Sequence, residues 1–207
     1  MPQGPGAGDN ATGAATLLET ARALAAGPAP RDDVIFLFDD GEELGDYRGG
    51  DLFARYHPWM GDVRLAVGLD TAAWGVPFLM QDSPGNGVLV KGFAMGVEHP
   101  VALGLDASTN REDDAEIDQF RRRGIPGIEL EDTYAHVVQH TAQDTVGRVH
   151  PGSLQLMGDQ TLGAVRAYAG MDLRHPKART ARSSPFPVYR SCTTRPRGAG
   201  SFARLPA

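Results

Sequence analysis

The sequence predicts an α/β sandwich. A short continuous apolar run stands at residues 34–38 (Val-Ile-Phe-Leu-Phe), the pattern of a strand buried on both faces, and a second strand reads at 63–69. Helix-like stretches alternate with these strands, as expected when helices pack over a parallel or mixed sheet. Acidic residues follow each strand directly, at the carboxyl ends where open α/β sheets place their sites.

The elements follow in order. Residues 10–26 are Ala/Leu-rich with few breakers and read as a helix, capped by Asp9 or Asn10 and ended by Gly27-Pro28-Ala29-Pro30. The run at 34–38 reads as a strand, with Asp39-Asp40-Gly41-Glu42-Glu43 at its edge. A helix over 49–56 precedes the second strand, 63–69, which ends in Asp70. Residues 77–81 are short and apolar, 87–96 helical and 101–105 extended. A short helix over 116–123 leads to a strand at 127–130. Residues 153–169 form an amphipathic helix, with Leu154, Met157, Leu162, Val165 and Tyr168 available for one face. After Leu173, Arg, Pro, Ser and Thr dominate and periodicity ends. The chain therefore divides into a domain at residues 1–170 and a basic, disordered tail at 171–207.

Composition narrows the function. A chain of 207 residues can bury a sizeable core as one domain. Its net charge of -6 opposes general nucleic-acid binding. Eight of the 20 Lys/Arg but one of the 26 acids lie in residues 171–207. The acidic body suits a cation-binding cleft better than a phosphate site, although a solvated acidic surface would give the same balance. The single cysteine, Cys192, allows neither a disulfide nor a cysteine-based zinc site within one chain. A metal would be held by His, Asp and Glu. No apolar run reaches membrane-spanning length, and residues 1–8 lack the apolar centre of a signal peptide.

Several side chains fit metal-assisted hydrolysis, which needs a Lewis acid and a base for the proton of water. Neighbouring side chains diverge in loop backbone, so one carboxylate of Glu42-Glu43 can ligate a metal while the other faces a water. Such a pair is otherwise a common start to a helix. Asp9, among glycines, reads as a helix cap or as a carboxylate shared by two metals. Asp70 reads as a turn residue or as a ligand at the sheet edge. His140 carries the commonest zinc-binding group, and His136 would share its helical face. No His-Glu-x-x-His, Gly-x-Ser-x-Gly or Walker pattern is present.

In order, the motifs are Gly8-Asp9-Asn10-Ala11-Thr12-Gly13, then residues 34–43, Gly68-Leu69-Asp70, Gly124-Ile125-Pro126-Gly127, and His140-Thr141 with Asp144. This ordered set resembles the M28 zinc peptidases. His57-Pro58-Trp59 and the phrase at 152–159 look most like the endoplasmic-reticulum and vacuolar membrane metallopeptidase branch. The resemblance implies a three-layer α/β/α sandwich around a mixed central sheet. It implies a metallo-aminopeptidase acting on peptide substrates, with Glu42 as general base. Asp9, Glu43 and His140 would hold one zinc, and Asp70 would serve a second that shares Asp9. Family members usually act in extracellular, periplasmic or lumenal spaces.

The sequence also departs from the family. The family's first strand and its His-x-Asp motif precede the Asp-Asn segment, and here only eight residues precede Asp9. The expectation is an N-terminally truncated domain with one complete zinc site, and an uncovered sheet edge or a gap in the core. Gln139 stands where the family has Tyr before the His. Asp114 and Glu116 are candidates for holding a substrate amino group. Two other readings are a non-catalytic binding module that has lost ligands and a glutaminyl-cyclase-like enzyme using one zinc.

Overall fold

The computed structural model describes residues 4–44, 47–82, 85, 87–102, 115, 117–132 and 137–173. The expected Asp114, Glu116 and His136, and all of the tail beyond Leu173, lie outside these residues.

Five α-helices and three strands, with a few short helical turns, make up the described regular structure. The helices are α1 (Thr12–Ala25), α2 (Arg48–Tyr56), α3 (Gly87–Gly96), α4 (Asp118–Arg121) and α5 (Pro151–Ala169). The strands are β1 (Ala66–Leu69), β2 (Pro77–Asp82) and β3 (Gly127–Asp132), in the order β1-β3-β2. β1 runs parallel to β3 and β2 antiparallel to it, so the sheet is mixed, as expected. β3, the middle strand, is buried along its whole length.

Helices cover both faces. On one, Leu69, Leu79, Ile128 and Leu130 of the sheet region meet Leu89 and Phe93 of α3 and Met157, Ala164 and Tyr168 of α5. Burying such side chains contributes roughly 1.5–3 kcal/mol each. On the other, Glu129 of β3 accepts a 3.4 Å hydrogen bond from the Ile117 amide at the start of α4. α4 in turn packs on α2 through Phe53 and Phe120, with ring centroids 6.1 Å apart. The result is the three-layer α/β/α arrangement.

Two expectations are corrected in detail. Leu154, Leu162 and Val165 of α5 are only half-buried. The face against the core uses Met157, Ala164 and Tyr168, with the polar Ser153, Gln160 and Thr161. The reason is close approach: a Cβ at Gly163 would lie 2.6 Å from the Gly96 carbonyl oxygen, so α3 and α5 touch backbone to backbone. Small residues therefore belong at that crossing. The strand expected at 63–69 begins at Ala66, because its ladder with β3 starts at the Ala66–Gly127 pair.

The larger correction concerns residues 34–38. They form no strand, and Ile35 and Phe38 are 38% and 49% exposed. No backbone hydrogen bond joins them to another described residue. They line a cavity of about 1800 Å³ together with Leu65, Val67 and Leu69, among others. A strand is defined by its hydrogen-bonded neighbour, and among the described residues this segment has none. The carboxyl end of the segment still arrives beside the end of β1, since Glu42, Glu43 and Asp70 border the same cavity.

Candidate metal centre

Asp9 lies in an irregular turn, Ala7–Ala11, ahead of α1, and its peptide bond to Asn10 is cis. Side-chain hydrogen bonds from Asn10 and Thr12 help hold this turn. Asn10 donates from Nδ2 to the Leu69 carbonyl (2.7 Å), tying the turn to the end of β1. Its Oδ1 accepts from the Gly13 amide in the first turn of α1 (3.0 Å), a capping-type bond from one of the two residues, Asp9 or Asn10, expected at this end. The Thr12 hydroxyl donates to the Gly8 carbonyl (2.6 Å) and accepts from the Ala72 amide (3.1 Å). Gly8 has no room for a side chain, as a Cβ there would lie 2.6 Å from the Trp74 ring.

Glu42 and Glu43 occupy a tight turn, Glu42–Leu44. It follows Gly41, whose φ of +89° needs a glycine. His140 sits in the loop after β3 with φ of 62°, a left-handed conformation uncommon outside glycine. Such backbone costs of order 1–3 kcal/mol and concentrates at functional sites.

These three distant segments converge. His140 Nε2 lies 3.1 Å from Asp9 Oδ2 and 3.0 Å from Glu43 Oε1. One donor atom from each of Asp9, Glu43 and His140 falls within 4.8 Å of the others, and this is the one such group among the described residues. The Asp9 side chain is 8% exposed, against 31% for Glu43 and 42% for His140. The centre is therefore open on the Glu43 and His140 side.

The electrostatics call for a cation. Burial pushes the Asp9 carboxyl up from 3.8 to about 8, helped by the nearby charge of Asp70 and by Glu43 and Glu42. Burial also raises Glu42, followed by Asp70 and Glu43, while His140 and a hydrogen bond from Tyr47 act in the opposite sense. Crowded carboxylates of this kind ionise fully only with a compensating positive charge. Two carboxylates and an imidazole are also a donor set suited to a divalent transition metal.

Of the five residues singled out in the sequence, Asp9, Glu43 and His140 meet directly, and Glu42 joins them through charge. Asp70 acts on Asp9 and Glu42 by its charge. It belongs to no three-donor group among the described residues, and its Oδ1 accepts from the Thr71 amide at 2.7 Å. Gln139 reaches His140, with Nε2 to Nε2 at 3.4 Å. Tyr47, beside Glu42, carried no signal in the sequence. Its φ of 47° at the start of α2 is visible only in the folded chain.

Comparison with known proteins places this geometry in context. The family described as "Peptidase family M28" matches residues 1–165. Endoplasmic reticulum metallopeptidase 1 of Rattus norvegicus is 32% identical over 176 residues, covering 82% of this chain and 20% of that protein. The chain thus spans about a fifth of that relative. Among solved structures, BSAP, a zinc aminopeptidase from Bacillus subtilis, superposes with a TM-score of 0.63 at 20% identity, covering 80% of this chain and 42% of that one. Glutaminyl cyclase of Bacteroides thetaiotaomicron gives a TM-score of 0.54 at 15% identity, covering 78% and 63%. At these identities the two structures share the fold.

Proposed function

This chain belongs to peptidase family M28, and we propose that it carries the zinc-binding core of a metallo-aminopeptidase. The observation that carries this reading is the convergence of Asp9, Glu43 and His140. These three would hold zinc through two carboxylate oxygens and one ring nitrogen. Three protein ligands leave a position open, the arrangement of a catalytic zinc. When bound, zinc would lower the pKa of a water and polarise the scissile carbonyl. Asp70, near Asp9 in charge, would contribute to a second zinc position that shares Asp9 but is too incomplete to hold zinc at micromolar metal.

Glu42 is the general base in this reading. It sits next to Glu43 in chain and close to His140 and Asp70 in charge. Its raised proton affinity, caused first by burial, suits a group that takes a proton from water and hands it to the leaving amine. Peptides are the substrate class, with release of N-terminal residues.

The test is hydrolysis by the zinc-loaded chain of amino-acyl amides with free and with acetylated amino groups. Cleavage of the free form alone, abolished by a chelator, is expected. Equal cleavage of both forms would remove the aminopeptidase assignment. A second reading rests on there being one three-donor group among the described residues: a one-zinc glutaminyl-cyclase-like enzyme. Release of ammonia from peptides with N-terminal Gln, without amide hydrolysis, would favour it. Zinc binding with neither activity would favour a binding module.

A further inference from the structure

We propose that Asp144 is the positioning residue of this centre, holding Asp9 in register with His140. The inference rests on the metal-site reading for its purpose, but its geometry stands alone. Asp144 is 1% exposed, and both of its carboxylate oxygens are spent on the turn that carries Asp9. Oδ1 accepts from the Gly8 amide at 2.5 Å and Oδ2 from the Asp9 amide at 3.0 Å. Its main-chain carbonyl takes the Ala7 amide as well, at 3.4 Å. Three successive amides of the Asp9 turn therefore end on one residue.

The same residue is tied to His140. The Asp144 amide donates to the Thr141 carbonyl (3.2 Å), and the Thr141 amide to the Val138 carbonyl (3.2 Å). The Thr141 hydroxyl repeats the contact to Val138 at 2.6 Å. Residues 138–144 are thus a closed turn bearing His140 at one point and Asp144 at another. Asp144 fastens that turn to the Asp9 turn from the far end of the sequence. Two loops that each supply a donor become one rigid unit, and the 3.1 Å spacing of His140 and Asp9 follows from it.

The chemistry specifies Asp. A carboxylate accepts at both oxygens, whereas Asn offers one acceptor and turns an NH2 group toward the second amide. Hydrogen bonds from amides to a charged acceptor are also the stronger kind. Outer residues that orient metal ligands typically change metal affinity by about 10–100-fold when removed.

The test compares the parent chain with Asp144→Asn and with Tyr168→Phe. The latter removes a buried hydrogen bond to the Leu89 carbonyl (2.8 Å) in the core and serves as a control for lost stability. Zinc affinity is measured by competition with a chromophoric chelator, thermal unfolding with and without zinc, and amide exchange at Gly8 and Asp9 in the metal-free chain. Asp144→Asn is expected to weaken zinc by about 10–100-fold, while Tyr168→Phe lowers the melting temperature and leaves zinc affinity within about twofold. The Gly8 and Asp9 amides of the metal-free parent should be protected. Three outcomes overturn the proposal: Asp144→Asn binding zinc like the parent, Tyr168→Phe weakening zinc as much, or Gly8 and Asp9 exchanging freely in the parent. The exchange measurement decides even if Asp144→Asn fails to fold. A parent that binds no zinc, with both amides protected, overturns the metal reading and leaves Asp144's hold on the turn intact.

Discussion

Nε2 of His140 stands 3.1 Å from the Asp9 carboxylate, although the two lie near opposite ends of the described chain. No sequence-local interaction produces that contact. It depends on Asn10 fixing the Asp9 turn to β1 and on Asp144 fixing it to the His140 loop. The contact also defines a donor site, because Glu43 meets the same nitrogen at 3.0 Å.

Removing the imidazole should therefore cost more than removing an outer partner. His140→Ala is expected to weaken zinc by more than the roughly 10–100-fold typical of second-layer groups. A chelator-competition titration reads this directly. Because the His140 side chain is 42% exposed, the melting temperature of the metal-free chain should change little or fall slightly, since Ala keeps a Cβ and does not relieve the left-handed backbone.

Glu42→Gln separates binding from chemistry. The amide keeps the shape but takes no proton from water, so hydrolysis of an amino-acyl amide should fall by about 10²–10⁴-fold. Zinc affinity should stay within a few-fold. Full retention of hydrolysis in a zinc-loaded variant removes Glu42 from the base role.

The pH dependence has opposite signs with and without metal. Asp9 titrates near 8 in the folded metal-free chain instead of near 3.8. Between those values the folded chain holds a proton that the unfolded chain has released. Stability of the metal-free chain therefore falls as pH rises from about 4 to about 8. Zinc needs the ionised carboxylate, so its affinity rises over the same window, with about one proton released per zinc near pH 7. Thermal unfolding in chelator and calorimetry in buffers of different ionisation enthalpy test both signs. A melting temperature rising with pH, or heats independent of buffer, would contradict them.

Gly163→Ala tests the crossing of α3 and α5. The new Cβ would stand 2.6 Å from the Gly96 carbonyl oxygen, and backbone cannot swing aside. Overpacking of this kind costs about 1–3 kcal/mol, or about 2–4 °C of melting temperature per kcal/mol in a chain of this size. Zinc affinity should be unchanged, since the crossing touches none of the three donors.

Much of the fold was legible because local pattern decided it. The helix expected over 87–96 is found at Gly87–Gly96, and the strand at 127–130 extends only to Asp132. The segment at 34–38 shows what local pattern leaves out. Its five apolar residues speak for burial, yet a strand also needs a hydrogen-bonded neighbour, and among the described residues it has none. The acids after it were well placed all the same, because the chain still runs to the end of β1. The donor set was legible only as an ordered motif, since spacing along the chain cannot bring Asp9 to His140. The backbone contact of Gly96 with Gly163 left no trace in the pattern, because close approach is a property of two helices together.

The measurement that bears most directly on the central claim is the zinc content of the chain after equilibration with micromolar zinc and removal of free metal. One zinc per chain is predicted, lost when Glu43 and His140 are both changed to Ala. No bound zinc, two zincs per chain, or unchanged zinc in the double variant would contradict it.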